Sequence, residues 1–229
     1  MKNIPILDSR LSLAARFVKQ DGVVCDVGTD HAYLPIQLIL SGRCNSAVAC
    51  DINEGPLERA RINCEKYGVS DRVTLCLCDG LSQVPLSDLS VDNIVICGMG
   101  GELIASIIDK CDYVKQNDVR LILQPMSQTG KLREYLCQNG FETVDGDMTK
   151  AQGKLYQCIV CRYTGKVHTL SPAELELGAE NIKGNRSPVF YEALDKLVLK
   201  TQRAIEGRRE GGLDTAELDR LLSELLSIS

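Results

Sequence analysis

Apolar residues recur along this chain in two alternating patterns. Compact runs at Val23-Val24-Cys25-Asp26-Val27, Ser46 to Cys50, Val73 to Leu77, Asn93 to Cys97 and Arg120 to Leu123 read as buried strands. The segments between them carry helical periodicity, and a helical start covers Leu7 to Lys19. Alternation of this kind specifies a parallel sheet with right-handed crossovers.

From Phe141 the pattern changes. Phe141 to Met148 and Leu155 to Tyr163 are two strand candidates, joined by a turn containing Ala151-Gln152-Gly153 that leaves no room for a helix. They must pair as an antiparallel hairpin. After Gly165 helices dominate, opening with Ser171-Pro172-Ala173-Glu174, an N-cap followed by proline at the first helical position. Leu194, Leu197, Val198 and Ile205 form one apolar stripe, and Leu218, Leu221, Leu222, Leu225 and Ile228 form another. Gly211-Gly212 separates the two, so an antiparallel helical hairpin with a charged outer face is expected. The predicted organisation is an α/β domain over 1–165 and a helical hairpin domain over 166–229.

Composition adds limits. The chain of 229 residues suits one well-buried α/β core with an appendage. No apolar stretch approaches the roughly 20 residues that cross a bilayer. Met1 to Asp8 has a single lysine and no apolar core, so no secretory signal or transit peptide is expected. A soluble, cytoplasmic protein follows as the expectation. Most of the eleven cysteines lie in strand-like runs, which predicts packed, reduced thiols. Cys158 and Cys161 form a C-x-x-C, but residues three apart on a strand point to opposite faces, so no metal is expected. The net charge of -5 has the wrong sign for bulk attraction to nucleic acid, which would need a local basic face. The apolar stripes leave the oligomeric state open, since they can pack internally or across a dimer.

The candidate chemistry sits at strand ends. Asp26-Val27-Gly28-Thr29-Asp30-His31 follows the first strand, where Gly28 admits close backbone approach and a helix N-terminus offers free N–H groups. Only one glycine of G-x-G-x-x-G survives, and acidic residues here repel phosphate, which disfavours a dinucleotide. A cofactor bearing an ammonium and a sulfonium suits Asp26 and Asp30 better; Asp26 could orient that ammonium or the neighbouring loop. Asp51, followed by Ile52 after the second strand, can accept from ribose hydroxyls. Asp79 and Gly80 after the third can meet an adenine amino group and ring. Each acid alone could be a turn or helix cap; three at successive strand ends converge on one crevice. Gly98-Met99-Gly100-Gly101 after the fourth strand suggests backbone wrapped around a crowded ligand, and Gln124 ends the fifth with an amide that could line an acceptor pocket. His31 can be structural or catalytic, and His168 is assigned no chemistry.

Five parallel strands followed by a terminal antiparallel hairpin is the arrangement of class I methyltransferases, whereas NAD-binding Rossmann domains continue in parallel. The combination of Arg10-Leu11, Asp26-Val-Gly-Thr-Asp-His-Ala-Tyr-Leu-Pro35, Asp79-Gly80, Gly98-Met-Gly-Gly101 and Leu121-Ile-Leu-Gln-Pro125 is more specific. It resembles the bacterial tRNA (adenine-22-N1)-methyltransferase family over nearly the whole chain. The resemblance implies a Rossmann-like catalytic domain using S-adenosyl-L-methionine, a coiled-coil-like C-terminal domain that helps hold tRNA, and methylation of adenine N1 in the D-arm region. Related sequences often carry glutamate as the ribose acid, where this chain has Asp51.

On this reading Asp30, His31 and Met99 stand at the reacting centre, and the cofactor is held by Arg10, Asp26, Gly28, Thr29, Asp30, His31, Asp51, Ile52, Asp79, Gly80 and Gly98. Candidate phosphate contacts are Lys131, Arg133, Lys150, Lys154 and Arg162 on the core, and Lys183, Arg186, Lys196, Lys200 and Arg203 among the helices; the latter group can equally form a solvated face. The alternatives are a methyltransferase of the same fold acting on a small molecule or protein, and a non-catalytic cofactor-binding regulator.

Overall fold

The computed structural model describes residues 4–116, 118–184 and 186–228, so Met1 to Asn3 of the amino-terminal stretch lie outside the described residues. The seven strands are β1 (Gly22–Val27), β2 (Cys44–Asp51), β3 (Val73–Leu77), β4 (Val91–Gly100), β5 (Arg120–Ser127), β6 (Phe141–Ala151) and β7 (Lys154–Tyr163). They form one sheet in the order β3-β2-β1-β4-β5-β7-β6. The first five are parallel, and β7 inserts antiparallel between β5 and β6, so the strand arrangement expected of a Rossmann-like methyltransferase is the one observed. Gln152 (φ 48°) and Gly153 (φ 76°) make the two-residue turn of the hairpin; two positive φ values match the twist of the strands they join.

Helices cover both faces. Leu13 and Ala14 of α1 (Ser9–Phe17), Leu34 and Leu38 of α2 (Tyr33–Leu40) and Ala60 and Cys64 of α3 (Glu54–Tyr67) pack on Val24 and Val95. On the other face Ile104 and Ile108 of α4 (Gly101–Asp109) and Leu132 and Leu136 of α5 (Thr129–Gln138) pack on Cys25, Ile94 and Ile96. Cys158 belongs to the first of these cores and Cys161 to the second, so the C-x-x-C pair is split by the sheet. Among the described residues no helix is long and apolar enough to cross a membrane.

Two elements run further than their apolar runs predict. β4 continues past Cys97 to Gly100, with its register to β5 broken on either side of Met99, so the glycine-rich segment is an irregular strand end. β5 continues past Leu123 to Ser127 because β4 is there to pair with it.

The C-terminal part begins with two short helices, α6 (Pro172–Leu177) and α7 (Ala179–Lys183), and ends in α8 (Pro188–Glu210) and α9 (Ala216–Ile228). Ser171 and Glu174 close a capping box on α6. Arg186 Nη1 donates to Ile228 O at 2.7 Å and Arg209 pairs with Asp219 at 2.9 Å, so α8 and α9 lie antiparallel with both ends pinned. Leu194, Ile205, Leu225 and Ile228 of the expected stripes are buried, and Leu197, Val198 and Leu221 pack beside them. Their core includes Met148 from β6.

The structure overturns one candidate phosphate contact. Arg133 is 1 % exposed; its guanidinium pairs with Glu180 at 2.8 Å and donates to Leu175 O at 3.3 Å, tying α5 to α6 and α7. A guanidinium enclosed in this way cannot meet RNA. Lys131, Lys150, Arg162, Lys183 and Lys196 are exposed but paired with Glu102, Glu192, Glu142, Glu174 and Glu192. Arg186 is committed to the carbonyls of Ile182 and Ile228. Lys154, Lys200 and Arg203 carry no ion pair among the described residues.

Candidate functional site

The sheet order reverses between β1 and β4, and the crevice beyond the carboxyl ends of two such strands is where open α/β sheets bind ligands. A cleft of about 370 Å³ lies there, between α1 and α2. Its walls include Arg10, Leu11, Asp26, Gly28, Thr29, Asp30, His31, Ala32, Tyr33, Cys97 and Gly98.

The loop after β1 is wound tightly enough to make one wall. The N–H groups of Gly28 and Thr29 both donate to Cys50 O, at 2.8 and 2.9 Å, so the chain turns over the end of β2. Thr29 Oγ1 accepts from Ala32 N at 3.1 Å, and Ala32 takes a left-handed conformation (φ 53°) before α2 starts. Gly28 has φ +78°, and a Cβ there would run into the terminal methyl of Met99. We expect Gly28→Ala to destabilise the protein by about 1–2 kcal/mol, the cost of a left-handed non-glycine residue. A urea midpoint within error of the parent's would contradict this.

Asp26 is the buried charge of the cleft. Burial pushes its carboxyl up to about 6; a hydrogen bond from Thr29 opposes that rise, and the neighbouring charge of Asp51 adds to it. No cation pairs with it among the described residues. A carboxylate so enclosed is stabilised by a ligand that brings a positive charge, and the ammonium of S-adenosyl-L-methionine is such a charge.

Asp30 stands at the mouth, paired with Arg59 of α3, and His31 Nε2 lies 3.3 Å from Asp30 Oδ2. The His31 ring stacks on Tyr33 with centroids 5.2 Å apart. Arg10 closes the opposite side. It pairs with Asp8 at 2.6 Å, lies over the Tyr156 ring at 5.3 Å, and donates from Nη1 to Met126 Sδ at 3.4 Å.

Of the residues singled out in the sequence, the cleft brings together Arg10, Asp26, Gly28, Thr29, Asp30, His31 and Gly98. Asp51, Ile52, Asp79 and Gly80 stand at the adjoining ends of β2 and β3 rather than in its walls. Asp51 is near enough to act on Asp26, its Oδ1 accepts from Asn53 N at 2.8 Å, and its carbonyl accepts from Cys78 N at 2.9 Å, which ties down the Asp79-Gly80 turn. Met99 packs against the core beneath Gly28 and is not in the cleft wall. Sequence reasoning did not select Tyr33 or Cys97, although both belong to strings it singled out. Arg59 carried no local signal, because it reaches Asp30 from 29 positions away.

Comparison with known proteins adds four relationships. A family described as "Methyltransferase domain" matches residues 7–159. The tRNA (adenine(22)-N(1))-methyltransferase of Bacillus subtilis (strain 168) is 33% identical over 154 residues, which is 67% of this chain; the match spans 64% of that relative. A Streptococcus pneumoniae structure of a protein proposed to be a tRNA (m1A22) methyltransferase, in complex with S-adenosyl-L-methionine, is similar over 95% of this chain and 100% of its own, at 35% identity and TM-score 0.81. The crystal structure of the B. subtilis m1A22 tRNA methyltransferase is similar over 98% of this chain and 96% of its own, at 29% identity and TM-score 0.81.

Proposed function

The chain belongs to the bacterial tRNA (adenine-22-N1)-methyltransferase family, and on that premise we propose that it transfers a methyl group from S-adenosyl-L-methionine to N1 of adenine 22 of tRNA, in the cytoplasm. The observation that carries this is the cleft at the β1/β4 switch point, with a buried carboxylate and only one glycine of a phosphate-binding loop.

The cofactor supplies an electrophilic methyl on a sulfonium. Asp26 would hold its ammonium, and Asp51 its ribose hydroxyls. Ile52, which is exposed, and the Asp79-Gly80 turn would take the adenine. Gly28 and Thr29 hold the loop against β2, so the backbone nearest the ligand does not reorganise on binding.

Adenine N1 carries an in-plane lone pair and needs no deprotonation before it attacks, so positioning supplies most of the acceleration. Methylation leaves the base cationic, and Asp30 with His31 beside it places a carboxylate at the mouth where that charge develops. Gly98 shapes the floor, with Met99 packed against the core behind it. N1 lies on the Watson–Crick edge, so a paired adenine is exposed first, at a cost of a few kcal/mol.

The expected division of labour is a catalytic domain over 1–165 and a helical domain over 166–229 that helps hold tRNA. Lys200 and Arg203 on α8, which carry no ion pair among the described residues, support it. The test is incubation with labelled S-adenosyl-L-methionine and unmodified tRNA, followed by mapping of the product nucleotide. Label at N1 of adenine 22 is expected. Label at another nucleotide, or none in tRNA, overturns the reading.

A further inference from the structure

At the end of β5, Gln124 is fully enclosed, and its Oε1 has no hydrogen-bond partner among the described residues. The other end of the same amide is committed: Nε2 donates to Pro125 O at 3.0 Å and touches Met126 Sδ at 3.8 Å. These contacts fix which way round the amide lies, so the group turned away from them is an acceptor. A buried acceptor left unpaired is costly and rare in a folded protein.

Its position gives that acceptor a use. Gln124 is the register partner of Cys97 on the neighbouring parallel strand, so the two side chains emerge on the same face of the sheet. Cys97 and the adjoining Gly98 line the cleft. Over Gln124 lies Met126, 45 % exposed, whose sulfur also receives Arg10 Nη1. Arg10 and Met126 therefore cover the nitrogen end of the amide, and Oε1 is the end turned away from that cover.

We propose that Gln124 is a specificity-determining residue, its Oε1 accepting a hydrogen bond from the exocyclic amino group of the target adenine. This rests on the reading of the site as an adenine N1 methyltransferase. The chemistry selects adenine over guanine: adenine offers a donor at position 6, whereas guanine offers a second acceptor, which would face Gln124 Oε1 with no proton between them. A site built to satisfy such a bond discriminates through the group left unpaired when the wrong base enters.

The test is a cycle in which the residue and the substrate group are removed in turn. Gln124→Met keeps the side chain's length and removes the acceptor. A tRNA carrying purine riboside at position 22 keeps N1 and removes the amino group. The parent enzyme should lose about 10- to 100-fold in kcat/KM on the purine substrate, through this bond and the lower basicity of N1 together. Gln124→Met should lose on adenine only the part of that factor due to the bond, and should match the parent on purine. Gln124→Glu, which keeps an acceptor, should retain more activity on adenine than Gln124→Met.

Cofactor binding by each variant, measured by calorimetry, reports whether the fold survives. Equal losses on both substrates with cofactor binding intact, or no loss on either, overturn the proposal; the latter would mean that solvent serves the buried oxygen. Failure of the parent to methylate adenine 22 at all would instead count against the reading on which the proposal rests.

Discussion

Glu180→Ala is expected to cost about 3–5 kcal/mol of stability, as measured by urea unfolding, because it leaves the guanidinium of Arg133 buried without its counter-charge. The pair is enclosed: the Arg133 side chain is fully buried and that of Glu180 is 10 % exposed. The backbone is drawn in around it, since a Cβ on either Gly146 or Gly178 would collide with Glu180. The carbonyls of Leu175 and Glu176 accept from the same guanidinium but bring no full negative charge. Removing both charges together is a different experiment. Arg133→Met combined with Glu180→Leu should recover most of the loss, since apolar groups of similar volume can replace a buried pair at little cost. A Glu180→Ala loss below about 1 kcal/mol, in the range of exposed pairs, would show that water reaches the site.

Asp26→Asn should move stability and cofactor affinity in opposite directions. The folded carboxyl titrates at about 6, against 3.8 for an ordinary aspartate, so the folded protein holds this proton more tightly than the unfolded chain. The resulting stabilisation is complete below about pH 4 and is lost as pH rises through 6. Near neutrality the ionised Asp26 of the cofactor-free protein is therefore an uncompensated burden of roughly 2–3 kcal/mol. An amide at this position escapes it, so the stability of Asp26→Asn relative to the parent should improve as pH rises from 4 to 7. Cofactor affinity at pH 7 should fall about 10- to 100-fold, the scale of a lost hydrogen bond to a charged group. In the parent, affinity should also weaken below pH 6, and this dependence should be absent from the variant. A pH-independent stability difference would mean that Asp26 is not the titrating group.

Much of the fold was legible because its signals are local. β1 and β2 declare themselves as apolar runs ending in Asp26 and Asp51, and the hairpin by two strands too close together for a crossover. The placement of Asp26, Gly28, Thr29, Asp30, His31 and Gly98 at one cleft was legible for the same reason, since a carboxylate or glycine at a strand end has a position that topology alone fixes. Side-chain environment was not. Arg133 read as a surface cation, although Leu136 and Cys137, three and four positions on, are buried and put it on the apolar stripe of α5. Its partner Glu180 lies 47 positions away, beyond any periodicity. Arg59 was hidden by similar separation from Asp30. Gln124 was visible as an amide at a strand end, but its unpaired oxygen depends on Pro125 and Met126 taking up the nitrogen.

Arg133 and Glu180 clamp the short helices to α5, while Met148 of β6 is seated in the core of α8 and α9. The span from the helical hairpin to the cleft is thus a fixed gauge rather than an adjustable arm. If the helical part holds tRNA as proposed, such a gauge would select the nucleotide as a ruler does, by distance from a landmark elsewhere on the folded RNA.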